Sequence, residues 1–194
     1  MQRAKVMLLV LAILFSIVEI VPVIAGTRDN RRAAKVQLRT RGNRSSLAFI
    51  QERIRKRLAS LPYYSVFDNL YFNYDGETVV LGGEVARASL RKDAEKAVED
   101  VEGVERIVNR IEILPLSTVD NRIRAQAYRQ LFSHPQLSRY AIQPVPPIHI
   151  IVKHSRIKLE GVVANRSDKI VAGMLANQIS GVFSVVNNLR VEKD

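Results

Sequence analysis

Residues 76–113, GETVVLGGEVARASLRKDAEKAVEDVEGVERIVNRIEI, lie without a gap over residues 154–191, HSRIKLEGVVANRSDKIVAGMLANQISGVFSVVNNLRV. Leu81 falls on Leu159, Gly83 on Gly161, Val85-Ala86 on Val163-Ala164 and Ser89 on Ser167. Further along, Ala94 falls on Ala172, Gly103-Val104 on Gly181-Val182, and Val108-Asn109 on Val186-Asn187. Apolar character persists at Val101 with Ile179, Ile107 with Val185, Ile111 with Leu189 and Ile113 with Val191. Matched glycines and matched apolar periods in one ungapped register mark an internal duplication, which sets the folding unit before any motif is sought.

Working outward, Leu47, Ile50, Ile54, Leu58 and Leu61 recur at helical spacing, with Ser45 or Ser46 before them as a cap and Pro62 after them as a stop. Leu70, Phe72 and Tyr74 alternate as a strand reaching Asp75-Gly76, a hairpin turn signal, and Val79 and Leu81 alternate on the return strand. Ser89 is then placed to cap a helix facing inward through Leu90, Ala94, Ala97, Val98 and Val101. Gly103 stands at its left-handed end, and a last strand covers 104–113. The second half repeats the order: a helix through Val119, Ile123, Ala127 and Leu131, a hairpin turning near His154-Ser155, a helix capped by Ser167 and ended by Gly181, and a strand over 182–191. The expected fold class is α+β, two tandem αββαβ modules. Residues 136–147 are a Pro-rich insertion particular to the second, and the short link 115–117 predicts that the two pack closely.

The net charge of +11 is not spread evenly. Residues 28–57 hold eleven basic side chains against Asp29 and Glu52, whereas residues 58–194 hold seventeen basic and sixteen acidic ones. The basicity therefore belongs to an arm and the first helix, not to the folded body. Cysteine is absent, which excludes disulfides, thiolate metal sites and an acylated N-terminal Cys.

Residues 1–5 are a short basic region, residues 6–18 (VMLLVLAILFSIV) an apolar run, and Val23-Ile24-Ala25 precede Gly26 with modest side chains where signal peptidase cuts. This pattern predicts a signal peptide over 1–25, cleaved after Ala25, and a periplasmic or exported product. The alternative is an inner-membrane anchor over 6–25, favoured by the basic residues that follow it under the positive-inside rule. The boundaries are then 26–45 for the basic arm, 46–114 for the first module and 117–194 for the second.

These residues resemble the BON domain family (bacterial OsmY and nodulation). The likeness lies in Leu81-Gly82-Gly83-Glu84-Val85, Glu102-Gly103-Val104 and Val108-Asn109-Arg110-Ile111 of the first half. In the second it lies in Leu159-Glu160-Gly161-Val162-Val163, Gly181-Val182 and Val186-Asn187-Asn188-Leu189. The resemblance implies a three-stranded mixed sheet with two helices on one face, in a non-catalytic bacterial envelope protein associating with phospholipid or with partner proteins. It also points to the helical surface of the second module. Some dual-BON relatives are lipid-anchored at the outer membrane, and this chain departs from them in having no Cys.

The candidate lipid-binding residues are Arg28, Arg31, Arg32, Lys35, Arg39, Arg41 and Arg44 on the arm, Arg53, Lys56 and Arg57 on the first helix, and Arg122, Arg124 and Arg129 on the second module. Such cations are drawn to an anionic phospholipid surface; the alternative is a protein–protein interaction scaffold of the envelope. Nucleic acid is not an expected partner, because the arm has no aromatic residue for base stacking. Gly83, Gly103, Gly161 and Gly181 read as structural, Gly83 and Gly161 marking a bulge or a close backbone approach by the packed helix. The aromatics Tyr63, Tyr64, Phe67, Tyr71, Phe72 and Tyr74 read as packing around the first hairpin. His134, His149 and His154 lack metal-ligand spacing, and the sequence has no nucleophile elbow and no carboxylate pair that reads as buried. No metal, cofactor or catalytic residue is expected.

Overall fold

A computed structural model of the chain describes residues 46–192; the expected signal segment and the arm cations from Arg28 to Arg44 lie outside the described residues. Helix α1, described over 46–59, buries Ile54 and Leu58. Strands β1 (Asn69–Tyr74) and β2 (Thr78–Val85) form an antiparallel hairpin. Helix α2 (Ala88–Glu99) buries Leu90, Ala94 and Val98 on one side, the spacing its sequence dictates. The chain then returns parallel to β2 in two pieces, β3 (Arg106–Asn109) and β4 (Glu112–Ile113). The second half repeats this order: α3 (Thr118–Phe132), β5 (Ile148–Lys153), β6 (Arg156–Val163), α4 (Arg166–Asn177), β7 (Ser184–Asn187) and β8 (Arg190–Val191). The fold is α+β, two tandem modules with mixed sheets ordered β1-β2-β3 and β5-β6-β7, and with β4 and β8 paired to β2 and β6.

The last strand of each module is broken where a continuous one was expected, and a repeated asparagine accounts for it. Asn109 accepts from the Ile111 amide (3.1 Å) and donates to the Arg91 carbonyl on α2 (2.8 Å). Asn187 does the same with Leu189 (3.2 Å) and Lys169 on α4 (2.7 Å). A side chain that bonds its own backbone two residues on competes with the ladder and turns the strand. Here that turn buries Ile111 and Leu189 in the two cores.

Three further expectations need correction. Ser89 and Ser167 lie inside their helices: the N-caps are Arg87, which makes no side-chain cap, and Asn165, whose side chain accepts from the Asp168 amide. Gly103 (φ 95°) and Gly181 (φ 84°) do not end the helices, whose C-caps are Asp100 and Gln178; they serve the turn that follows. Val119 is 41% exposed and stands outside the core that Ile123, Ala127 and Leu131 enter.

Gly83 and Gly161 (φ 115° and 117°) meet a neighbouring carbonyl rather than a helix. A Cβ there would stand 1.9 Å from the Asn69 or the Pro147 oxygen. The next residues use the resulting bend: the Val162 amide bonds the Pro147 carbonyl at 3.1 Å.

The modules share a core element. Val66, in the loop between α1 and β1, is buried among Ile123, Leu131, Ile148 and Ile150 of the second module, and its carbonyl accepts from the Ile150 amide at 2.7 Å. Phe67 meets Tyr128 with tilted rings (6.2 Å between ring centres), and Tyr64 meets His149 likewise (5.7 Å). Lys158–Glu84 and Lys153–Glu112 ion pairs tie the two sheets.

Gly161→Ala is expected to lower unfolding free energy by at least about 2 kcal/mol, since it combines a left-handed φ with backbone overlap. A urea midpoint unchanged from the parent chain would contradict the described contact.

Candidate functional site

The helices of the two modules differ in where their acids go. On α1, Glu52 faces solvent and pairs with Arg55 and with Lys56 (4.0 Å), while Arg53 reaches Glu102 (3.9 Å) and the Phe49 ring (5.8 Å). Lys56 and Arg57 are exposed and Arg53 is half-buried. On α2, Asp93, Glu95 and Glu99 all remain accessible beside Arg91, Lys92 and Lys96. The first module thus presents mixed charge.

In the second module the acid of each helix is withdrawn from the surface. Asp120, on the first turn of α3, is 1% exposed; its carboxylate accepts from the amides of His154 (2.9 Å) and Ser155 (2.8 Å). Both of these residues have positive φ, so the helix carboxylate secures the β5–β6 turn. Asp168, on the first turn of α4, is 0% exposed and accepts from Gln136 (2.7 Å), Arg139 and Tyr140. Burial alone would raise its pKa, but the hydrogen bonds from Tyr140, Gln136 and Arg139 outweigh that and hold the carboxyl below its usual value. The insertion 136–147 is accordingly a packed element, with Leu137 and Tyr140 buried around a 3-10 turn, Ser138–Ile142.

With those acids withdrawn, the outer surface of the α3/α4 layer carries only cations among its charged groups. Arg122 and Arg129 are exposed and lie two turns apart on one side of α3, about 10 Å along its axis. On α4, Ile170 (52% exposed) and Met174 (53%) stand one turn apart, flanked by Arg166 and Lys169. None of these four cations is ion-paired within the described residues. The helices pack against each other, bridged by Gln130 and Gln178 (3.4 Å). A hollow of about 470 Å³ between α4 and the sheet is lined by Arg166, Lys169, Ile170, Asn187 and Val191.

Arg124 does not join this surface. It is 6% exposed, turned into the core side of α3, and donates to the Val152 carbonyl (2.7 Å) and Asn121 (2.6 Å). Its position between Ile123 and Ala127 puts it on the buried arc of the helix, so it is removed from the lipid-binding candidates. Conversely, Arg166, Lys169, Ile170 and Met174 were not singled out from the sequence. The signal was in the repeat register, where Ile170 and Met174 replace Lys92 and Lys96 of the first half. Two apolar groups on a face that is charged in its duplicate are unneeded by the fold.

The histidines sit apart: His134 accepts from Gln136 after α3 (3.3 Å), His149 is packed on Tyr64, and His154 is exposed in the turn. Among the described residues no three metal-ligating side chains converge, and no helix is long and apolar enough to cross a membrane.

The BON domain family matches the chain twice, over residues 48–115 and 119–193. Two solved structures of CdsD, a structural protein of the type III secretion system of Chlamydia trachomatis, are similar at 11% and 10% identity. They cover 72% and 73% of this chain and 96% and 92% of their own, each with a TM-score of 0.25. No curated protein matches.

Because its native pKa is depressed, Asp168 contributes stability that is complete above its unfolded value and is lost as pH falls through the native one. The window is therefore below about pH 4. Urea midpoints of the parent chain are expected to drop in that window, and those of Asp168→Asn to start lower and stay flatter. Tyr140→Phe leaves the Ala164 amide, now bonded to the Tyr140 hydroxyl at 2.8 Å, without its acceptor, and is expected to lose about 1–3 kcal/mol in urea unfolding.

Proposed function

From the premise that this chain belongs to the BON domain family, which covers both of its modules, we propose that it is a non-catalytic envelope protein that binds anionic phospholipid surfaces through the α3/α4 face of its second module. The observation that carries this reading is the acid-free surface of that layer, where Arg166 and Lys169 flank exposed Ile170 and Met174 on α4 and Arg122 and Arg129 are exposed on α3. Cations near an anionic bilayer contribute about 1 kcal/mol each, reduced by salt. Apolar side chains between them gain by leaving water among the acyl chains. The order of events is electrostatic capture, then shallow insertion of Ile170 and Met174. The hollow beside Lys169 offers a place for a headgroup phosphate.

The Arg-rich arm over 26–45 adds sequence-independent attraction to the same surface. Export on residues 1–25, with cleavage after Ala25, places the modules in the periplasm against a lipid leaflet.

The test is flotation of the chain beginning at Gly26 with anionic and with zwitterionic vesicles over a salt series. Binding is expected only to anionic vesicles and to weaken as salt rises. The pair Arg122→Glu with Arg129→Glu is expected to cut it by at least about tenfold, a loss of ~1.4 kcal/mol. Equal binding to both vesicle types, or an unaffected double variant, would sink the reading.

A further inference from the structure

In an antiparallel pair, alternate residues turn their amide and carbonyl away from the partner strand. The β1–β2 register, closed by Asp75 N–H to the Thr78 carbonyl, places Tyr71 and Asn73 on the paired side and Leu70, Phe72 and Tyr74 on the other. The Leu70 amide fits this assignment, since it donates outward to the Tyr64 hydroxyl at 3.3 Å. The amides of Phe72 and Tyr74 have no acceptor among the described residues, and β1 ends the sheet order.

The second module shows the same edge occupied. Ile150 stands opposite Leu159 as Phe72 stands opposite Leu81, and the outward amide of Ile150 is bonded by Val66 of the first module. One edge of the duplicated hairpin is therefore met by an incoming backbone, and its counterpart is open.

That open edge borders a groove of about 620 Å³, within the roughly 300–1,000 Å³ of ordinary ligand sites. Residues 70–74 line it consecutively. A sheet face contributes only alternate residues, so the groove meets β1 at its edge. Across it stand Leu58, Pro146, Pro147 and His149; the prolines have no amide to offer the outward carbonyls of β1. The charged groups in the lining are Arg55 and Arg190, with no acid among them. Arg55 shares Glu52, whereas Arg190 has no ion pair within the described residues. Burial pushes the His149 pKa down, which leaves the ring neutral.

We propose that this groove takes an extended acidic segment of another protein, added as a strand beside β1, with its amides and carbonyls on Phe72 and Tyr74 and its carboxylates toward Arg190 and Arg55. Strand addition gives affinity through the main chain and selects through side chains, and the Arg pair supplies the selection here. The site is separate from the α3/α4 face and stands whether or not that face binds lipid.

A fluorescent peptide of alternating Val and Glu, titrated against the full chain, is the test. Saturable binding is expected, at least about tenfold weaker when Lys replaces Glu, and lost when alternate peptide amides are N-methylated. Phe72→Pro removes the outward donor at an edge position where proline is tolerated and should abolish binding. Since Phe72 also packs on the first core, Arg190→Glu, at an exposed position, repeats the test without disturbing folding and should weaken the acidic peptide. Amide exchange at Phe72 and Tyr74 should slow in the complex. Indifference to peptide charge, to N-methylation or to Arg190→Glu would overturn the proposal, as would displacement of the peptide by anionic vesicles.

Discussion

Val66 is the residue on which the arrangement of the two modules depends. It is carried by the first module and buried in the second, and its carbonyl occupies the outward amide of Ile150. A lone αββαβ unit has a marginal core for its size and an unpaired strand edge. Val66 addresses both shortages of the second unit. Phe67, Tyr64 and the two lysine–glutamate pairs follow from that insertion, because they flank it or lie where it brings the sheets together. The tandem is thus one body with a direction: the first half completes the second, and nothing among the described residues completes the first in return.

The direction extends to surface charge. Each helix of the second half uses its carboxylate internally, Asp120 for a strained turn and Asp168 for the insertion around Tyr140. Counting charges along the chain makes residues 58–194 nearly neutral, yet the outer side of α3 and α4 is cationic. Net charge is a property of composition, whereas the field a partner meets depends on which groups are desolvated.

Much of the fold was legible because a gapless duplication tests every periodicity twice. The inward faces at Ile54, Leu58, Leu90, Ala94 and Val98, and at Ile123, Ala127, Leu131 and Ala172 of the second half, are what the spacing predicts. Legibility failed where a side chain bonds backbone at a distance. Nothing local to Asn109 or Asn187 says that it will hold a helix carbonyl and break its strand, although its recurrence at one register position was visible. Arg124 looked like one more surface cation because its neighbours are; only its place on the buried arc beside Ile123 and Ala127 decides otherwise. Asp168 stands in register with Leu90, a mismatch that marked a special environment without revealing the partners Gln136 and Tyr140, which come from the unmatched insertion.

The amide that follows the second strand of each hairpin carries a lesson of another kind. In the first module Ala86 donates to the Asp68 carboxylate at 2.7 Å; in the second, the register-equivalent Ala164 donates to the Tyr140 hydroxyl. The two acceptors differ in chemistry and come from unrelated positions in the connecting segments, yet they answer the same donor. What the duplication has conserved between its halves is a demand made by one backbone atom, and each half has met it with different material. Divergence scored residue by residue counts such a pair as drift, while an inventory of satisfied donors would count it as identity.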